Sequence, residues 1–447
     1  MTTLHFDFSK PIRPIKPMNA VNNGPVGSKV RGVKGNFDDY KSARIPYARN
    51  HDASFCTGYG GEHTVDVHRI FKNFDADEND PASYVFGPTD QYLLDTVSTG
   101  TKVFYRLGAS IEHGYKYGTY APKDFQKWAR ICEHIIRHYN EGWANGYELG
   151  IEYWEIWNEP DCRNRDGANP CWQGTEEQFK ELFLVTVRHL KGTFPNLKIG
   201  GPAICSVWSN RVEALLPVFP EHGLAPDFYS YHWYGKRVCD FIDTLRKGRE
   251  QADRYFGKQA QTILNEYNYI RGWVGDDWTY SLASEKGLKG SSMNAALMAA
   301  AQSSGLLDML MYYDARPCGM NGMFETESYR KLKTYYTIAS FSELSALGTE
   351  AASESADDVW SVAATDGKGN GALLVTYYDD NDGAAPKDVK LEFAGFDAKV
   401  KVSYYLLDES HDMTLVREEI FTADKFAAYL TMPLFTTYLI KIEKIAD

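Results

Sequence analysis

The chain of 447 residues is short of positive charge: 48 Lys and Arg stand against 60 Asp and Glu, a net charge of −12 with no basic block. Nucleic acid needs clustered cations for its phosphates, so it is excluded as a partner. No apolar run approaches the roughly 18 residues of a membrane span, so no membrane partner is expected. The N-terminus, MTTLHFDFSKPIRPIKP, lacks the charged-then-apolar pattern of a secretory leader. Location is left open between the cytoplasm and an exported protein whose leader has been removed. No GxSxG elbow is present, which argues against a serine hydrolase. No Gly-rich loop follows the first strand pattern, which weakens a doubly wound nucleotide fold. Cysteine is sparse: seven residues, no Cys-x-x-Cys pair and no zinc-site spacing. Cys162 and Cys171 flank one loop and could pair in an oxidising compartment, and free thiols are the alternative.

What the chain has in plenty is aromatic side chains, 14% of residues, among them 30 Tyr and 10 Trp. Flat rings suit the C–H faces of sugars, and they also build large cores. The length exceeds what one core usually supports, so a large domain plus a smaller one is expected.

From about residue 18 to 348, short strand patterns alternate with helical ones. KPMNAVN, RIPYARNHD, KVFYRLG, IEYWEIW, LKIGGPA, DFYSYHWY, QTILNEYN and LLDMLMYYDA read as eight strands. A helix over about 122–141 carries Trp128, Ile131, Cys132, Ile135, Ile136 and Tyr139 at steps of three and four. Thr175 and Gln178 form a capping-box pair. Further helical segments fall near 210–222, 237–257, 290–305 and 330–348. The order predicts an α/β fold, a (β/α)8 barrel. After Gly348 the period changes to two, as in VWSVAAT, GALLVTYY, DVKLEFAG and FTTYLIKIEK. Residues 349–447, with the strand-like segment 1–17, are expected to form an accessory antiparallel β-sandwich domain.

Catalytic groups of such a barrel sit at the C-terminal ends of the strands. In YWEIWNEPD, Pro160 cannot donate to a ladder, so Glu159 is placed where the fourth strand opens. Asn158 beside it offers both a donor and an acceptor. The second carboxylate is Glu266, ending the seventh strand. Strands four and seven nearly face each other, so the two groups can converge over the barrel axis. Two carboxyls about 5–5.5 Å apart are what a retaining glycosidase requires: one donates a proton, the other attacks the anomeric carbon. Glu155, on the same strand as Glu159, reads as a paired core carboxylate. Arg49, His51 and Asp52 end the second strand, where Arg49 could neutralise the nucleophile's surroundings and the other two could hold sugar hydroxyls. Trp172 could wall the cleft or pack under the next helix. HTVDVH, with His63, Asp66 and His68, fits no standard metal spacing and reads as loop or substrate contact. Neither a metal nor a cofactor is expected.

WEIWNEPD and ILNEYN resemble the acid/base and nucleophile strands of the clan A glycoside hydrolases. With VNNGP, IPYARNHD, YSYHWYG and the β-rich tail, the pattern resembles glycoside hydrolase family 39, whose members include β-xylosidases and α-L-iduronidases. The resemblance implies that Glu159 is the acid/base and Glu266 the nucleophile, with Asn158 on the sugar 2-hydroxyl. It also places His232 and Tyr234 near the nucleophile. Two departures touch the sugar subsite. Strand eight reads MLMYYDARP, so Tyr312 or Tyr313 stands where the clan commonly has Trp, with Asp314 beside it. The third strand reads YRLGASIEH, bringing Arg106 and His113. The expectation is an exo-acting retaining glycosidase on a glycoside or oligosaccharide such as a β-xyloside. Galactosidase and arabinosidase specificities are the alternatives, and a non-catalytic carbohydrate-binding protein or a metal-dependent aldolase are the rivals. Exo action rests partly on long loops expected over 161–174 and 269–290. The oligomeric state is left open.

Overall fold

The computed structural model describes residues 1–26, 35–52, 63–110, 118–164 and 167–445. Eight parallel strands close into a barrel in sequence order. They are β2 (Ala20–Asn22), β3 (Tyr47–Arg49), β4 (Lys102–Leu107), β5 (Tyr153–Ile156), β6 (Lys198–Ile204), β7 (Phe228–Gly235), β8 (Gln261–Tyr269) and β9 (Met309–Tyr312). Each coincides with one of the eight patterns read from the sequence, β6, β7 and β8 running one residue past theirs. β2 pairs with β9 through Ala20–Met311 and Val21–Tyr312, which shuts the barrel.

The barrel interior is layered. An apolar plug of Ala20, Phe104, Tyr153, Phe228, Ile263, Met309 and Met311 fills its lower part. Above it lie buried polar groups, Arg49, Arg106, Glu155, Ser230 and Asn265. Buried charges in such a layer must be paired, and each pairing fixes a neighbour's position.

The outer helices follow the predicted stripes. Asp124 caps Phe125–Asn140 by accepting from the Lys127 N–H, and Thr175 and Gln178 form both bonds of the capping box of Glu176–Thr193. Two expectations are corrected. The helix expected over 210–222 is two short helices, Val212–Leu215 and Val218–Glu221, and Pro217 stands at the break. The stretch 269–290, expected as loop, contains the helix Gly275–Glu285, whose Asp276 and Asp277 favour the first turn.

The second sheet has nine strands. Eight are β10 (Thr349–Ser353), β11 (Val359–Thr365), β12 (Gly371–Tyr377), β13 (Lys387–Ala394), β14 (Val400–Leu407), β15 (Asp412–Phe421), β16 (Lys425–Met432) and β17 (Thr437–Lys444). The N-terminal strand β1 (Thr2–Pro14) inserts between β10 and β13. Pairing is antiparallel except for β1 with β13, which is parallel. β15 and β16 lie at opposite ends of the hydrogen-bonded order, yet Phe421 and Phe426 stack at 4.1 Å. The sheet therefore curls on itself as a sandwich, around Phe6, Leu373, Phe393, Val402 and Ile440. Its other face presents Val362, Ala364, Ala372, Leu374 and Leu439 to the barrel core. The helix Leu288–Ser304 packs there, buried almost throughout, and its many Ala and Ser residues allow that close approach.

Candidate active site

The site forms where β5 ends. Alternation along β5 turns Tyr153 and Glu155 into the barrel, and continued strictly it would turn Trp157 inward too. The backbone breaks the pattern. Trp157 and Glu159 both take left-handed conformations, φ +72° and +47°. Such residues cost on the order of 1–3 kcal/mol each and persist only where the surroundings hold them. Here the Trp157 N–H donates to the Leu107 carbonyl (2.6 Å) and the Glu159 N–H to the Ala203 carbonyl (2.9 Å). The Trp157 indole joins the outer layer, edge-on to Trp172 at 5.0 Å and 6.0 Å from Trp128. Gly108 makes room for it: a Cβ there would lie 3.0 Å from the Trp157 Cα. The local strain leaves Asn158 and Glu159 at the mouth of the barrel.

Glu159 and Glu266 meet there. One carboxylate oxygen of each, with a His232 ring nitrogen, all lie within 4.8 Å of one another. His232 Nδ1 is 2.8 Å from Glu159 Oε1 and 3.4 Å from Glu266 Oε2. Burial pushes His232 down to about 4, so the ring is neutral at pH 7 and Nδ1 can donate to both carboxylates.

The two carboxylates have different company. Glu266 Oε1 accepts from Arg49 Nη1 (2.7 Å) and Oε2 from the Tyr234 hydroxyl (2.9 Å). Burial raises its affinity for a proton, and His232 and Arg49 oppose that rise. Arg49 is fully buried and spends its remaining donors on Glu155 (2.6 Å), Asn158 Oδ1 (2.7 Å) and Asn22 Oδ1 (3.1 Å). Glu155 in turn accepts from Ser230 (2.6 Å) and Asn265 (2.5 Å), so it is a paired core carboxylate as read from the sequence. Among the described residues, Glu159 has no Lys or Arg in contact. Its Oε2 meets the Cys171 thiol at 3.6 Å, and Cys162 and Cys205 are close by. Burial raises Glu159 to about 8. Its neighbour Asp161 is raised to about 7, also by burial.

Arg106 supports His51 from below. It donates from Nε to His51 Nδ1 (3.3 Å) and from Nη2 to the His51 carbonyl (2.7 Å), Asp66 (2.6 Å) and Ser110 (2.6 Å). A ring nitrogen that accepts from Arg106 leaves the proton on Nε2, which faces Asp52 at 3.5 Å and Glu266 at 3.6 Å. Asp52 accepts from the Tyr313 hydroxyl and lies 3.7 Å from Arg316; against its burial, His51 and Arg316 hold it ionised. Tyr234 meets Tyr313 edge-on at 6.4 Å and Trp273 at 5.2 Å, and Trp273 is half exposed.

Of the residues singled out in the sequence, Arg49, His51, Asp52, Asn158, Glu159, His232, Tyr234, Glu266 and Tyr313 form one connected group. Asp314 turns aside: it accepts from the Arg316 N–H (2.6 Å) and faces the Cys318 thiol (3.5 Å). Trp172 is buried behind Trp157, donating to the Thr175 carbonyl. His113 lies outside the described residues. Cys162 and Cys171 are free thiols. Sequence reasoning missed Asn22, Cys171, Cys205 and Trp273. VNNGP carried a signal for the first; nothing in the linear spacing marks the thiols.

Fold and site together define a (β/α)8 barrel with two apposed carboxylates at its mouth. The profile of the glycosyl hydrolases family 39 matches residues 63–315, and the chain belongs to that family. A β-xylosidase of Geobacillus stearothermophilus is 31% identical over 118 residues, 26% of this chain and 22% of that protein. One from Caldicellulosiruptor saccharolyticus is 25% identical over 147 residues, 32% of this chain and 26% of that protein. The matched segments thus span about a quarter of these relatives' length. Among solved structures, a glucosidase of Croceicoccus marinus superposes with a TM-score of 0.80 at 19% identity, and a monomeric β-xylosidase of Caulobacter crescentus with 0.70 at 15%. Both cover 100% of each chain, and at these identities they show the shared fold.

Proposed function

We propose that this protein is a retaining, exo-acting glycoside hydrolase for a β-linked sugar, in the first instance a β-xyloside. The observation that carries the reading is the apposition of two buried carboxyls in contrasting environments. One oxygen of each lies within 4.8 Å of the other, which fits the close carboxyl pair of retaining enzymes, about 5–5.5 Å apart, better than the inverting spacing of about 6.5–9.5 Å. The relatives named as β-xylosidases favour that sugar, and the glucosidase neighbour keeps hexosides in play.

In the first step a Glu266 oxygen attacks the anomeric carbon while Glu159 gives its proton to the departing glycosidic oxygen. The products are a glycosyl ester on Glu266 and a free alcohol. In the second, Glu159, now ionised, takes a proton from water. The oxygen of that water displaces Glu266 and restores the anomeric configuration. Arg49 and Tyr234 hold Glu266 ionised and aimed. The raised affinity of Glu159 keeps its proton near neutral pH. Asn158 spends its carbonyl on Arg49, leaving its amide donor for the sugar 2-hydroxyl. His51, Asp52, Tyr313 and Trp273 supply the polar and aromatic edges of a pocket, and the Trp273 wall supports exo action. Residues 18–348 form the catalytic unit in this reading, and 1–17 with 349–447 the accessory one.

The test is a screen of aryl β-xyloside, β-galactoside, β-glucoside and α-L-arabinoside, with the first-formed anomer followed by proton NMR. Hydrolysis with retention is expected. An inverted first product would end the mechanism, and inertness to every glycoside, with binding intact, would favour a carbohydrate-binding protein.

A further inference from the structure

Three cysteines converge on Glu159, two from its own loop and one from the end of β6. Cys162 lies just past Glu159, Cys171 at the far side of the same loop, and Cys205 past the end of β6. The sulfurs of Cys162 and Cys205 and a Glu159 oxygen lie within 4.8 Å of one another. Cys171 stands outside that trio and would have to close on it to complete a shell of four ligands. Cys171 Sγ stands 3.6 Å from Glu159 Oε2.

From these contacts we propose that Cys162, Cys171, Cys205 and the Glu159 carboxylate form a binding site for one thiophilic divalent metal ion, zinc being the natural probe. This goes beyond the glycosidase reading, although its effect on activity rests on that reading. Three sulfurs and one carboxylate oxygen are a donor set suited to tetrahedral zinc. Metal–sulfur bonds of about 2.3 Å and metal–oxygen bonds of about 2.0–2.2 Å put the S···O edges of such a tetrahedron near 3.6 Å. The Cys171–Glu159 separation equals that edge.

The backbone holds the ligands in place. The Cys162 N–H donates to the Glu159 carbonyl (3.1 Å), the Cys171 N–H to Asn169 Oδ1 (2.8 Å) and the Cys205 N–H to Asp161 Oδ1 (2.8 Å). Asp161 Oδ2 is buried without a hydrogen-bond partner among the described residues, and it can support the ligand shell. Arg163 adjoins Cys162, and Arg49 lies on the far side of Glu159, offsetting the negative charge of the ligands. Thiols that bind the metal release their protons to solvent. An ion bound here occupies the carboxylate oxygen that would carry the acid's proton, so loading should switch off hydrolysis.

The test uses the full chain, reduced and stripped with a chelator. Zinc is titrated by equilibrium dialysis, and cobalt by the sulfur-to-metal charge-transfer absorption of thiolate ligation. One ion per chain with that band is expected. Cys162→Ser and Cys205→Ser should each weaken binding at least about 100-fold. Zinc should also protect Cys162, Cys171 and Cys205 from alkylation in the wild type, a readout that needs no variant to fold. Zinc should suppress aryl-glycoside hydrolysis by the wild type, and each serine variant, compared with its own stripped form, should resist it. Absence of the band, or binding indifferent to the cysteines, overturns the site. Binding at the cysteines with undiminished hydrolysis removes Glu159 from the ligand set. If the chain hydrolyses no glycoside, stoichiometry, absorption and protection still decide the metal site.

Discussion

Glu159, three residues past the end of β5, and Glu266, three residues before the end of β8, are the same residue type in very different surroundings. Glu266 sits among fixed donors, a guanidinium, a phenol and a histidine N–H. Glu159 sits among thiols with one histidine contact. In the proposed mechanism environment, and not residue identity, divides the work between them: donors that favour an anion aim a nucleophile, and a desolvated neighbourhood keeps an acid protonated. Breaking this comparison is the sharpest way to test the proposed function.

The largest effect is expected from exchanging the two for alanine. Glu266→Ala removes the nucleophile, and every substrate should lose about 10^4-fold or more in kcat. Glu159→Ala removes the proton donor. Substrates with poor leaving groups should lose about 10^2–10^4-fold, while the first step on an activated aryl glycoside should partly survive. Azide needs no general base, so it should rescue the Glu159 variant with retained configuration and the Glu266 variant with inverted configuration. The reverse pattern of products would exchange the two assignments.

Next in size is Arg49→Lys. Lysine keeps the charge and loses the fork that reaches Glu155, Asn158 and Glu266 together. The variant should fall about 100-fold in kcat, since a misaimed nucleophile is costly even when charged. It should also unfold at lower denaturant, because buried partners are left unpaired. A variant with wild-type kcat would mean that Arg49 serves the fold alone.

How much of this arrangement was legible in the chain depends on how far apart its parts lie. WNEP follows a strand end because proline interrupts the run, and ILNEYN sets polar residues within the apolar run of β8, so Glu159 and Glu266 could be named from local sequence. The capping box of Thr175 and Gln178 is likewise local. Arg106 holding His51, Tyr313 reaching Asp52, and Cys205 beside Glu159 are contacts between different strands and the loops that follow them. Barrel closure makes them, and no spacing encodes them. The helix Gly275–Glu285 was hidden because its apolar stripe is weak: only Ser281 and Glu285 of it are buried. Trp273, just before that helix, was lost with it.

A smaller effect is expected at the pocket edge. Tyr313→Trp widens the ring and removes the hydroxyl bonded to Asp52. The ranking among aryl xyloside, glucoside and galactoside should shift by about 10-fold, within the range that one pocket contact supplies. Thermal unfolding should be nearly unchanged. An unaltered ranking would place Tyr313 outside the sugar subsite.

The smallest effect, and the cleanest control, comes from a third buried carboxyl. Glu285 ends the helix Gly275–Glu285, is wholly buried, and neither oxygen has a hydrogen-bond partner among the described residues. Burial raises it to about 9, much as burial raises Glu159, but Glu285 is outside the proposed catalytic group. The folded state therefore holds a proton that the unfolded chain, with an ordinary value of 4.5, releases. The stability this contributes is fully present below pH 4.5 and is lost as pH rises through about 9. Melting temperature should fall between pH 5 and pH 9, and Glu285→Gln, neutral throughout, should flatten that fall by a few degrees while leaving kcat unchanged. An equal fall in the variant would mean that desolvation here does not hold a proton on a carboxyl. The same argument for Glu159 as a protonated acid would then need a cause other than burial.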